Sequence, residues 1–106
     1  MTSEIVSVYA AFASDEEARR IGREMVERRL AACVNILGPC HSIYRWRGEI
    51  EEGPEVTAIF KTDGRSSDAL VAAIAERHSY DVPAIAVWPI AATTDDYRSW
   101  VSENSR

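Results

Sequence analysis

Four side chains in this 106-residue sequence offer soft or borderline donors: Cys33, Cys40, His41 and His78. Thiolate and imidazole, helped by nearby carboxylates, are ligands of transition-metal ions. Their spacing gives no CxxC or other zinc-like run, and scattered donors do not by themselves make a site. Cys40 and His41 are neighbours, so in extended backbone they point to opposite faces and one ion would seldom take both. Cys33, within Ala31-Ala32-Cys33-Val34, has the setting of a buried small apolar side chain. His78 is expected at a helix end, where an imidazolium interacts favourably with the negative pole. Lys61 stands out for a different reason. It is the one Lys beside eleven Arg, and a compact ammonium differs from a guanidinium in reach and in tunable pKa. Its ordinary role is that of a snorkelling charge at a strand end. Tyr97 and Trp100 read first as packing residues of a terminal helix.

No nucleophile with a base and an orienting acid can be picked out, and the five glycines are isolated rather than gathered in a phosphate-binding loop. A binding protein is therefore expected rather than an enzyme. The formal net charge of -5 disfavours nucleic acid and anionic membranes as partners. The arginines at 19, 20, 23, 28 and 29 alternate with glutamates and read as a solvated helix face. No apolar run reaches the length of a membrane span and the opening residues lack the order of a secretory signal. A soluble, cytoplasmic chain with both thiols reduced is expected, folding as one domain over 1–106.

These residues must be positioned by the elements around them. Residues 5–13 (IVSVYAAFA) read as a buried strand. Ser14 and Glu17 form a capping box that opens a helix with the apolar stripe Ala18, Ile21, Gly22, Met25 and Val26, continuing towards Leu30. A long strand with a bend at Gly38-Pro39 follows from Cys33 to Arg47. A charged, turn-rich tip then leads to a third strand over 56–62. Ser66 or Ser67 is expected to cap a second helix running to about His78. Residues 84–90 (AIAVWPI) read as a fourth, central strand, and Thr94 caps a short last helix.

The order β-α-β-β-α-β-α is that of an α+β, ferredoxin-like fold, with both main helices on one face of an antiparallel sheet. Only the short last helix is left for the other face. A strand from 33 to 47 would span about 50 Å, against about 35 Å for a compact domain of this size. A hairpin that outruns its domain leaves strand edges for another subunit, so homo-oligomerisation is expected.

Five segments, in order, carry a family resemblance: Leu30 to Ile36 (LAACVNI), Ser42 to Glu51 (SIYRWRGEIE), Phe60-Lys61-Thr62, His78 to Pro83 (HSYDVP) and Tyr97-Arg98-Ser99-Trp100. Together they resemble the successive signatures of the CutA divalent-cation-tolerance family. The resemblance implies a ferredoxin-like fold assembled as a homotrimer through intersubunit strand pairing. It also implies a role in tolerance to divalent cations, with copper the ion most often attached to the family and no cofactor required for folding; the candidate metal ligands are His78, by its family position, and Cys33, by its thiolate chemistry. The chain departs from the family pattern with Ser79, Asp81 and Ala84 where Pro and two Glu are usual, and with Ala11 and Arg77 where some members carry Cys and His. It is thus poorer in metal donors. A second expectation, by fold analogy with the nitrogen-regulatory PII proteins alone, is a trimeric sensor holding a small anionic metabolite in an intersubunit cleft formed by Lys61, His78, Tyr97 and Trp100.

Overall fold

The computed structural model describes residues 4–106. Its elements are β1 (Ile5–Phe12), α1 (Asp15–Glu27), β2 (Cys33–Trp46), β3 (Glu49–Asp63), a 3-10 turn (Gly64–Ser66), α2 (Ser67–Arg77), β4 (Ile85–Pro89) and α3 (Asp95–Asn104). The strands form one sheet in the order β2-β3-β1-β4, with every neighbouring pair antiparallel. This is the ferredoxin-like arrangement expected from the sequence.

Alternation along the strands divides the sheet into two faces. Val8, Ala10 and Phe12 of β1 and Ala58 and Phe60 of β3 are fully buried against Ala18, Ile21 and Met25 of α1 and Leu70 and Ile74 of α2. Gly22 lets α1 approach β2, since a Cβ there would stand 3.1 Å from Val34 Cγ1. The opposite face carries Ser7, Tyr9 and Ala11 of β1 and is covered by a helix only at one end. There Val101 of α3 packs with Ile5 and Ala32.

The start of α1 is close to the expected capping box. Ser14 Oγ accepts the Glu17 N–H at 3.1 Å, while Glu17 Oε1 accepts the N–H of Ala13 at 3.0 Å. Thr94 caps α3 through Tyr97 N–H as expected. The second helix differs: neither Ser66 nor Ser67 caps α2 through its hydroxyl. Ser66 Oγ instead donates to the Ser105 carbonyl and Ser67 Oγ to that of Gly64. The C-terminal helix takes the hydroxyl that the spacing assigned to a cap.

Two further expectations are corrected, and a third, the bend in β2, is borne out in a specific form. The fourth strand is not central but at the sheet edge, pairing only with β1, and Ala86 to Pro89 are exposed. An unbroken apolar run signals two covered faces, and within one chain nothing covers them. The charged tip is not a loop. Only Arg47 and Gly48 turn, with φ of 49° and 83° as a tight two-residue hairpin needs. Glu49 to Pro54 are already in β3. Pro54 is tolerated because β3 gains its second neighbour, β1, only from Val56 onward. Finally, the bend in β2 is a bulge at Leu37, next to Gly38 with φ 103°. The hairpin gives the chain its elongated shape, 47 × 25 × 22 Å.

Candidate functional site

The residues singled out by sequence fall at two ends of the sheet, and His78 packs on the helix-covered face against Phe12. At one end the register aligns Ser7 of β1, Lys61 of β3 and Cys33 of β2. Lys61 Nζ donates to Asn35 Oδ1, so the lone lysine is tied to the neighbouring strand. Cys33 is half-buried rather than buried, with Sγ 3.7 Å from the Tyr97 hydroxyl. Burial, and then the neighbouring Cys33, push the Tyr97 hydroxyl up to about 12. Trp100 stacks on Tyr97 at 6.0 Å but stays 45% exposed, less packed than its place on the helix suggests.

His78 lies at the other end. Its ring stacks on Phe12 at 5.1 Å and is nearly buried. Nδ1 accepts the Tyr80 N–H at 3.1 Å, which leaves the ring proton on Nε2, and Nε2 donates it to the Ala11 carbonyl at 2.7 Å. This corrects the expected imidazolium at a helix end: the backbone turns extended at His78 and directs the ring onto β1. Glu17 braces the same turn. Its Oε2 accepts the Ser79 N–H at 2.9 Å. Burial pushes the Glu17 carboxyl up, but the hydrogen bonds from Ala13 and Ser79 outweigh this and hold it below the usual carboxylate range.

Ala11, which holds His78, is four residues along β1 from Ser7, which aligns with Lys61, a separation of about 13 Å. Lys61, Tyr97, Trp100 and Cys33 therefore form one neighbourhood and His78 another. They do not converge within one chain.

The donor set does not make a metal centre in one chain. No group of three or more His, Cys, Asp or Glu able to hold an ion occurs among the described residues. Both ring nitrogens of His78 are engaged, and Cys33 faces Tyr97. His41 Nε2 lies 3.5 Å from Glu52 Oε2 on the exposed hairpin, a pair open to solvent.

Sequence reasoning missed the cleft where the hairpin leaves the sheet. Tyr9, Tyr44, Trp46 and Tyr80 wall a cavity of about 520 Å³ together with Glu55 and Asp81. Tyr44 and Trp46 sit two apart on β2, which places them on one face, and the register of the hairpin sets Glu55 opposite Cys40 on that same face, four residues before Tyr44. Tyr80 is pushed up to about 12 by burial and by its hydrogen bond to Glu55. Burial, then Cys40 and Glu55, raise Tyr9.

Comparison with known proteins places this geometry. Residues 6–104 match the model of the family described as CutA1 divalent ion tolerance protein. The chain is 42% identical over 92 residues to the divalent-cation tolerance protein CutA of Thermus thermophilus, covering 87% of this chain and 89% of that protein. It is 40% identical over 99 residues to the protein of the same name from Thermococcus kodakarensis, covering 93% and 94%. The solved structure of the Thermus thermophilus divalent cation tolerance protein superposes with a TM-score of 0.93 at 39% identity, covering 96% of this chain and 99% of that one.

Proposed function

The chain belongs to the CutA1 divalent ion tolerance family, and we propose that it acts in divalent-cation tolerance as a cytoplasmic homotrimer that binds copper or a related ion weakly and without catalysis. The match over residues 6–104 carries this reading. Weak binding follows from the donors: the exposed His41–Glu52 pair is open to an ion, whereas His78 already serves the fold. The trimer is supported by two open strand edges and by Leu37, Ile43, Ile50, Val82 and Trp88, each about half exposed or more. Cys33 and Cys40 are both unpaired, in keeping with a reducing compartment. The anionic-metabolite reading gains nothing from the cleft, whose polar lining includes Glu55 and Asp81 but no Lys or Arg.

The test is a copper(II) titration of the chelated protein followed by thermal unfolding. Stabilisation should grow gradually with free ion, as expected for a site far from saturation. Saturation at one ion per chain below micromolar concentration would contradict weak binding. No shift with copper, zinc or nickel at any concentration would remove ion binding from the proposal.

A further inference from the structure

Helix α1 ends in a Schellman turn: the Arg29 N–H donates to the Val26 carbonyl and the Leu30 N–H to that of Met25, both at 3.0 Å. The left-handed residue of such a turn is usually glycine, because a side chain there is strained. Here it is Arg29, with φ of 60°. A strained residue standing where a freer one would serve points to a task for its side chain. The guanidinium reaches the far end of the chain, donating from Nε to the Arg106 main-chain oxygen at 2.7 Å and from Nη2 to the Glu103 carbonyl. From this placement we infer that Arg29 is the latch of a strap: it holds the last turn of α3 shut on the end of the sheet, and α3 releases and reseats there while the core stays folded. This device uses none of the residues assigned to ion binding.

Two features make α3 separable from the rest. Its apolar anchor is small. Val101 is fully buried with Ile5 and Ala32, in a cluster separate from the one under α1 and α2, and Ile90 and Tyr97 border it. Residues 91–94, in neither helix nor strand and mostly exposed, link α3 to β4 and supply the hinge. A segment with few buried apolar contacts opens at a lower free energy than a core strand. What else holds it is polar and gathered at its C-terminal end.

There Arg29 acts beside two other segments. Ser66 Oγ donates to the Ser105 carbonyl at 2.6 Å, and Ser105 Oγ accepts the Asp63 N–H at 2.9 Å while donating to the Val101 carbonyl. The last carbonyls of a helix lack partners within it, and a cation beside them also meets the negative pole. Arg29 serves both needs. Because α3 covers one end of the face that the proposed trimer closes, the latch sets the shape of that face before subunits meet. This consequence alone rests on the trimer reading.

The test is amide hydrogen exchange, read by mass spectrometry on the full chain in its native assembly, comparing the parent with Arg29→Gly. Glycine suits the backbone at 29 and removes the latch, so its two effects have opposite signs. Exchange in residues 97–105 should quicken about tenfold or more, while β1 and β3 exchange as in the parent and the urea midpoint holds or rises. A helix-ending residue with no further role would give the steadier midpoint without the local change, so unchanged exchange in 97–105 would overturn the latch. The same null result is expected if a partner subunit, rather than Arg29, holds α3, and light scattering on the parent reads the trimer separately. Equal acceleration throughout the chain would also overturn it, since α3 would then have no motion of its own. Should Arg29→Gly fail to fold, Ser66→Ala, which removes the Ser105 contact on the same turn, decides by the same measurement.

Discussion

Asp63 shows how a buried carboxylate is kept charged by a neighbour two residues along the chain. Its side chain is almost fully buried, and its oxygens accept the Arg65 N–H and guanidinium at 2.9 to 3.0 Å. The Arg65 hydrogen bonds outweigh burial and hold Asp63 at about 2. A carboxyl depressed in the folded state stabilises the fold above its unfolded value of 3.8, and that contribution is lost as pH falls towards 2. Stability measured by urea unfolding should therefore drop between about pH 4 and pH 2, and Asp63→Asn should flatten that slope; an unchanged slope would mean that other carboxyls govern it. His78 is a second case. His78→Ala removes two hydrogen bonds and a stacked ring, so it should cost about 1–3 kcal/mol while leaving copper affinity within twofold. Loss of copper affinity at parental stability would make it a ligand instead. The sequence placed His78 at the end of a helix but could not show its ring on β1, because that contact spans 67 residues. Lys61 was likewise visible as an exception, whereas its partner Asn35 depends on strand register.

At the scale of elements, period and capping signals located β1, α1 and α3 well, and the apolar pattern alone located α2, because each is decided by neighbours within a few residues. The hairpin was harder. Gly53-Pro54 carries a strong local turn signal, yet cross-strand pairing with Ser42 and His41 keeps it extended. The true turn at Arg47-Gly48 is written in two residues only. The bulge at Leu37 depends similarly on Gly38, whose φ of 103° side chains rarely adopt. Gly38→Ala has open space around its Cβ, so any loss comes from backbone strain alone. It should destabilise by about 1–3 kcal/mol, read from the urea midpoint. A neutral effect would mean that β2 can relax its bulge. The aromatic cleft escaped sequence reasoning for the same reason as the hairpin register, since Tyr9, Glu55 and Tyr80 come from three separate segments.

At the scale of the whole molecule, the mismatch between composition and burial is the main physical fact. Ile85 to Pro89 is as apolar as a central strand but forms an edge, with Val87 42% and Trp88 48% exposed. The far half of the hairpin, residues 43–50, likewise exposes Ile43 and Ile50. A chain that kept such surface in water would be prone to association through unpaired edges, and the proposed trimer gives those edges partners. Val87→Asp separates the two levels. In a lone chain the new carboxylate would sit at a partly exposed position and could stay hydrated, so the fold should survive. In an assembly that buries β4 it would be an unpaired charge in an apolar contact, which is strongly unfavourable. Light scattering should therefore give a trimer for the parent and a smaller species for Val87→Asp, with helical and sheet signals retained in both. A parent that is monomeric at micromolar concentration would defeat the trimer. A Val87→Asp trimer of unchanged melting temperature would show that β4 stays in water and that the subunits meet elsewhere on the open face.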